Sequence, residues 1–447
     1  MYYIIALITF IFSVPVYAEQ PPKTPNHFEI ANTYTVKIKT RVKYPFINDN
    51  KGSHRGAGFL IDKDEGWIMT NAHVSSRNPK SLEVAFKGQK FIDAKLIYVD
   101  MHLDLAVIKV SPDKIPLKAT EAKLDCNDKP AIGTAVGAFG HPFNLSFSGT
   151  RGIISGEKYR WGRIWVQTDA PINKGNSGGP LISLITGKVI GISSASMSKS
   201  KSEGLNFAVP IIHACKVNDL LGKGINPTPS YIPVGFAYDN DNNNELIAAI
   251  IYKKQPVSWP LEVGDHLVSF ANKPDKVFKN QATLIHELRG ISGKVDVVIK
   301  RAGKNKVLSI ISKPHQSLMK RIGVHVSGVV IAPISFRDDE EANPKGHALI
   351  QDVARASIGG SAGIKPFHVL ISIDSRPLKN PVNICRYLKS AEKLHKKIRI
   401  ITKETARSYQ SHSKYHSYEI KANDVKLVGP EAQEGCGSGV LFDLTKR

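Results

Sequence analysis

The residues able to do chemistry lie in three short segments. The first is Gly175-Asn176-Ser177-Gly178-Gly179-Pro180, which sets one hydroxyl among small residues. A serine that attacks a carbonyl needs an uncrowded Oγ and backbone N–H groups aimed at the developing oxyanion. Glycines serve both needs, because they turn tightly and leave their N–H groups bare. The second segment, Thr70-Asn71-Ala72-His73-Val74, ends a strand-like run with a histidine. The third, Leu103-Asp104-Leu105-Ala106-Val107-Ile108, puts an aspartate at the head of an apolar strand. Ser177 is the expected nucleophile. His73, with an ordinary imidazole pKa of about 6.5, takes its proton and returns it to the leaving amine. Asp104 fixes the imidazole tautomer and stabilises the imidazolium, and the N–H groups of Gly175 and Ser177 form the oxyanion hole. Singly, each segment has an ordinary explanation: a Gly/Ser turn, a core histidine, a strand cap. What those explanations leave unaccounted for is His, Asp and Ser together, in this order, in an all-β region.

Residues 27–221 read as all-β. Tyr34, Val36, Ile38, Thr40 and Val42 alternate with Thr35, Lys37, Lys39 and Arg41, the pattern of a half-buried strand. Leu82, Val84 and Phe86 repeat that period, and a turn at 62–66 separates strands at 58–61 and 67–70. Further strand-like runs lie at 105–110, 135–139, 151–155, 164–168, 181–183, 189–193 and 206–209. Short strands punctuated by glycine imply a sandwich or paired barrels. Residues 222–231 are rich in Gly, Pro, Ser and Asn and read as a linker. Two units of one pattern follow, at 232–315 and 318–422. Each has an apolar-Gly-apolar tripeptide, strands, one helix (281–290, then 381–391) and a closing strand, an internal repeat of roughly 90–100 residues. The tail, 423–447, suggests no function.

The chain has 447 residues, room for about three domains. Lys+Arg number 61 and Asp+Glu 39, a net charge of +22. That surplus favours anionic surfaces, so electrostatic contact with a membrane is one expectation. The charges are spread along the chain, without a basic arm or aromatic-spaced motif, so no specific nucleic-acid binding is expected. Residues 1–18 read as a secretory signal peptide. The stretch 4–16 is apolar, and Val16-Tyr17-Ala18 puts small residues before a cut at Glu19. No Lys or Arg precedes it, which leaves an uncleaved N-terminal anchor as the alternative. No later stretch is apolar for the ~18 residues that a membrane span needs. Four cysteines, Cys126, Cys215, Cys385 and Cys436, lack any C-x-x-C spacing. Cys126–Cys215 and Cys385–Cys436 bridges would each stay within one half of the chain, and free buried thiols are the competing expectation. No metal or organic cofactor is implied.

TNAHV, LDLAVIKV and GNSGGP together resemble the motifs of trypsin-like serine proteases of the HtrA (DegP-like) family. Gln167-Thr168-Asp169-Ala170-Pro171-Ile172-Asn173 and Leu205-Asn206-Phe207-Ala208-Val209-Pro210 extend the likeness, which covers roughly residues 30–215. The resemblance implies a mostly β protein. Its double β-barrel protease domain would hold the active site between the barrels and be followed by two PDZ-like α+β domains. It also implies a periplasmic endopeptidase of protein quality control that cleaves unfolded or misfolded proteins and forms homo-oligomers, trimers or multiples of them. A chaperone or scaffold with little turnover is the alternative on the same fold.

The substrate pocket is expected at Pro171, Ile172, Ser193 and Phe207. With no carboxylate at its base, it should prefer small or medium apolar side chains. The loop 193–202 is expected to gate it. Val234-Gly235-Phe236 and Ile322-Gly323-Val324 match the loop that would bind peptide C-termini by strand addition. Pro233 removes one N–H beside the first loop. Phe367-His368 replaces the family's Gly-Asp after Lys-Pro, so the second unit is expected to serve either peptide capture or assembly.

Overall fold

Two closed six-stranded barrels carry the N-terminal half of the chain. The computed structural model describes residues 26–127, 129–141, 147–160, 162–196, 205–237, 245–253, 255–335, 348–404, 414–432 and 435–437. The expected signal peptide and the last ten residues of the tail lie outside these. A helix absent from the sequence reading, α1 (His27–Tyr34), comes first. The Asn26 side chain caps it by accepting from the Phe28 N–H at 3.2 Å. Strands β1 (Thr35–Val42), β2 (Gly52–Asp62) and β3 (Trp67–Thr70), the short helix α2 (Ala72–Ser75), and strands β4 (Ser81–Phe86), β5 (Ile92–Asp100) and β6 (Leu105–Lys109) follow. They close in the order β1-β2-β3-β6-β5-β4. Val36 and Ile38 face the core with no exposure while Lys37 and Lys39 face outward, as alternation in β1 requires.

The second barrel consists of β7 (Ala135–Gly140), β8 (Ser148–Arg160), β9 (Arg163–Thr168), β10 (Pro180–Ser183), β11 (Val189–Ser196) and β12 (Asn206–Pro210). They close in the order β10-β11-β12-β9-β8-β7. Helix α3 (Ile211–Gly222) follows, tied to the region between the barrels by a Cys126–Cys215 disulfide. Closure leaves neither barrel a free strand edge.

The first C-terminal unit has strands β13 (Val234–Phe236), β14 (Leu246–Ile251) and β15 (His266–Phe270), helix α4 (Gln281–Leu288), and strands β16 (Gly293–Arg301) and β17 (Lys304–Ser312). They form one sheet in sequence order. The second unit has β18 (Gly323–Val326), β19 (Val329–Pro333), β20 (Ala348–Val353), the short helix α5 (Ile358–Ser361), β21 (Val369–Ile373), helix α6 (Pro381–Lys393), β22 (Lys397–Lys403), β23 (Tyr415–Lys421) and β24 (Lys426–Val428). Its sheet runs β23-β22-β21-β20-β19-β18-β24. Asparagine caps begin both longer helices: Asn280 accepts from the Thr283 N–H at 3.0 Å, and Asn380 from the Val382 N–H at 2.8 Å. Both sheets, each with a helix on one face, fit PDZ-like units. The second extends past residue 422: β24 joins its sheet, and Cys436 packs in its core, bridged to Cys385 on α6.

The C-terminal units also buttress the first barrel. Leu318, just before β18, packs with Ala72, Val99 and Ala106. Phe46 packs with Val330, Ala332 and Val428, and the Ile47 N–H donates to Gln351 Oε1 at 3.0 Å.

Candidate active site

Strand β3 stops at Thr70, so His73 does not end a strand as its sequence context implies. It sits on α2, a single helical turn after Asn71. Asp104 occupies the turn before β6, at φ 55°. That left-handed conformation disfavours a side chain by ~1–2 kcal/mol, and local bonds hold it. Asn71 Nδ2 donates to the Asp104 carbonyl at 2.9 Å, and the His73 N–H donates to Asp104 Oδ1 at 3.1 Å. His73 Nδ1 then lies 2.9 Å from both carboxylate oxygens of Asp104. Burial pulls the His73 pKa down, but the charge and hydrogen bond of Asp104 outweigh it and leave the pKa raised. The pair is built for an imidazole that becomes cationic during the reaction.

Ser177 comes from the second barrel, in the loop before β10. Glycines pin this loop where the barrels meet. A Cβ on Gly178 would stand 2.2 Å from the Ala57 carbonyl oxygen, and one on Gly179 would stand 1.9 Å from that of Phe139. The Ala57 N–H donates to the Ser177 carbonyl at 2.8 Å, and the Gly178 N–H to the Ser193 carbonyl at 2.7 Å. Gly175 has φ 108°, open in practice only to glycine, and its carbonyl accepts from the His141 N–H at 3.0 Å. Among the described residues, the N–H groups of Gly175 and Ser177 donate to no backbone acceptor.

Ser194 is a contributor that the sequence reading passed over. A register shift between Ser193 and Ala195 in the β11–β12 pairing makes Ser194 the bulged residue. A bulge re-aims backbone and side chain. Here the Ser194 hydroxyl donates to Asp104 Oδ2 at 2.5 Å, while its carbonyl accepts from Ser177 Oγ at 3.0 Å. The nucleophile is therefore parked on a backbone carbonyl, and among the described residues its hydroxyl makes no bond to His73. The arrangement is a resting one for the hydroxyl.

The expected pocket residues divide. Pro171 is exposed, and its carbonyl accepts from Thr150 Oγ1 at 2.9 Å. Phe207 lies on β12 opposite Gln167 and Ala195. Ile172 does not face the pocket: it packs into the core of the second barrel with Val136, Ala138 and Leu181. An apolar side chain after the exposed Pro171 buries itself inward. Ser193 is fully buried and, through bonds to Gly178 and Gly179, braces the nucleophile loop. Of the expected gating loop, residues 197–202 lie outside the described residues.

The two apolar-Gly-apolar segments also differ. Val234, Gly235 and Phe236 lie on β13 at the edge of their sheet. Gly323 and Val324 lie on β18, flanked on one side by β19 and on the other by β24, and Ile322 packs against the core beneath. Expecting the second segment to be an open peptide site is therefore incorrect for this conformation, because the chain's own tail fills that edge. Among the described residues one group, His368, Glu404 and His416, brings metal-ligand atoms within 4.8 Å of one another. It belongs to the second C-terminal unit and touches no residue of the His73–Asp104–Ser177 set.

A family model described as a trypsin-like peptidase domain matches residues 56–192. A probable periplasmic serine endoprotease, DegP-like, of Pseudomonas putida (strain GB-1) is 27% identical over 351 residues, 72% of this chain and 71% of that protein. Its namesake in Chlamydia pneumoniae is 27% identical over 368 residues, 76% and 72% of the two chains. Among solved structures, the HtrA-type protease AlgW with a tripeptide superposes with a TM-score of 0.53 at 24% identity, over 66% of this chain and 98% of that one. The structural likeness concerns the fold.

Proposed function

We propose that the chain is an HtrA-type, DegP-like serine endoprotease that hydrolyses unfolded or damaged proteins in the periplasm with Ser177, His73 and Asp104. The observation that carries the assignment is the bidentate approach of His73 Nδ1 to Asp104, 2.9 Å to each oxygen, across the barrel interface from Ser177. In the reaction Ser177 Oγ leaves the Ser194 carbonyl, gives its proton to His73 Nε2 and attacks the scissile carbonyl. The oxyanion settles on the N–H groups of Gly175 and Ser177. His73 protonates the leaving amine, and water repeats the sequence to release the acyl group from Ser177.

Residues 27–221 form the protease domain, 222–231 the linker, and 232–315 and the segment from 318 onward the two PDZ-like domains. The exposed edge of β13 supports capture of extended peptide segments or C-termini by the first of these, with Val234, Gly235 and Phe236 lining the site. Pro171, with Phe207 beside it, supports a pocket for small or medium apolar side chains. The protein acts as a homo-oligomer, a trimer or a multiple of one, and residues 1–18 direct its export. The electrostatic membrane contact expected from net charge gains nothing from the relatives or the fold and forms no part of this function.

The parked hydroxyl of Ser177 favours one further role, a chaperone or scaffold with slow turnover. Casein separates the two. Purified protein should degrade it and Ser177→Ala should not. Equal degradation by both would refute the assignment. Suppressed aggregation without degradation by the wild type would establish the scaffold instead.

A further inference from the structure

The peptide groove of the second C-terminal unit already holds a peptide, and that peptide is the chain's own. Strand β24 pairs antiparallel with β18, with Gly323 opposite Val428, Val324 opposite Leu427 and His325 opposite Lys426. Antiparallel addition to this strand is how a PDZ-like unit takes a ligand. The direction also fits, because Val428 stands beside the start of β18, where a ligand's C-terminal residue would be. The first unit differs: β13 ends its sheet and has no second partner among the described residues.

Helix α6 forms the other wall and grips the same segment. The Val425 N–H donates to Glu392 Oε1 at 3.0 Å, and Lys389 Nζ donates to the Val425 carbonyl at 3.3 Å. Val425 and Leu427 are buried in one cluster with Ile384 and Leu388 of α6. Gly429 lets the chain leave the groove. A Cβ there would stand 2.3 Å from the Arg321 carbonyl oxygen, and its φ of 153° suits glycine alone. Past that turn, Cys436 is bridged to Cys385 on α6. The segment is thus held at both ends, by the short connection from β23 and by the disulfide.

We propose that residues 425–428 are a built-in ligand latched by the Cys385–Cys436 disulfide, and that reduction by a dithiol opens this groove to an extended peptide with an apolar C-terminal residue. A thiolate of the reductant attacks the Cys436 sulfur, and Cys385 leaves as a thiolate that takes up a proton. The second thiol of the reductant then displaces Cys436, so two electrons and two protons pass to the protein and the reductant becomes a disulfide. While the bridge is closed, the tethered segment competes at an effective concentration on the order of millimolar. Once the bridge is open, one tether remains and exchange with a free peptide becomes rapid. The proposal rests on the PDZ-like reading of this unit.

The test uses the full chain carrying Ser177→Ala, so that the probe is not cleaved. The probe is a fluorescent pentapeptide, Asp-Val-Lys-Leu-Val with a free C-terminus, followed by anisotropy with and without dithiothreitol. Hydrogen exchange at residues 425–428 is followed in parallel. Two further proteins control for the reductant: a Cys385→Ser, Cys436→Ser double variant, and Leu427→Asp, which expels the segment with the bridge intact. At least tenfold tighter binding on reduction is expected, matched by both variants without reductant, with faster exchange at 425–428. Equal binding in all states would overturn the latch while leaving peptide capture standing. No binding in any state, with exchange accelerated on reduction, would overturn the PDZ-like reading of this unit and the proposal with it. No binding and unchanged exchange would make the segment a fixed part of the fold and refute the proposal outright.

Discussion

Arg289 of the first C-terminal unit forms a buried ion pair with Asp100 of the first barrel, Nη1 to Oδ2 at 2.6 Å, where β5 enters the turn that carries Asp104. Asp100 Oδ1 also accepts from the Leu103 N–H at 2.9 Å, so the carboxylate ties the turn to the C-terminal unit. Burial pushes the Asp100 pKa up, but the charges of Arg289 and His102 outweigh it and hold the carboxyl below its usual range. Removing one partner of a buried pair leaves an uncompensated charge and costs ~3–5 kcal/mol. Arg289→Met should therefore lower the unfolding temperature and reduce kcat more than it raises KM, because the turn bearing Asp104 loosens. Adding Asp100→Asn should restore most of the stability. An unchanged kcat in Arg289→Met would limit the pair to a structural role.

The raised pKa of His73 sets the pH dependence. His73 must be neutral to accept the Ser177 proton, so the acid limb of kcat/KM should lie above the ordinary imidazole value of about 6.5. Asp104→Asn leaves burial as the main influence, which moves the limb below that value, and it presents the wrong tautomer. A loss of ~10⁴ in kcat at neutral pH is expected. A pH–rate profile on a chromogenic peptide checks both.

Ser194 acts through Asp104 on one side and Ser177 on the other. Ser194→Ala removes only the hydroxyl. A hydrogen bond to a charged group contributes ~1.5–3 kcal/mol, so kcat should fall by roughly 10- to 100-fold. KM should stay near its original value, since the backbone carbonyl is retained. Thr at the same position should restore much of the rate.

The pocket proposed at Pro171 carries no charge at that residue. Peptides with Ala or Val before the scissile bond should be cleaved at least tenfold faster than those with Arg or Lys, since a buried cation without a partner is costly. Cleavage-site mapping on casein by mass spectrometry reads the preference directly.

Much of this site is legible in the sequence because the chemistry demands specific residue types in local runs. The glycines around Ser177 are required because a Cβ at Gly178 or Gly179 would collide with the Ala57 or Phe139 carbonyl, and the β1 alternation is set by its inward Val36 and Ile38. Other features depend on tertiary register. His73 looks like a strand end, because a helix as short as α2 has no periodicity to read. Ser194 gains its role from a bulge set by pairing with β12, which nothing in the run Ser193-Ser194-Ala195 announces. Strand β24 is equally silent. Lys426-Leu427-Val428 is too short to signal a strand, and its place beside β18 is fixed by α6 and by a cysteine whose partner the sequence leaves open. Asp100 and Arg289 lie far apart in sequence and meet only through the packing of the first C-terminal unit against the protease region.

Labelling with a fluorophosphonate, followed by peptide mapping, tests the central claim most directly. The reagent needs a nucleophile, a base and a formed oxyanion hole at one place. A single labelled residue, Ser177, is expected, with labelling abolished in Ser177→Ala and slowed by orders of magnitude in His73→Ala. Label on another residue, or none on Ser177 while casein is still degraded, would contradict it.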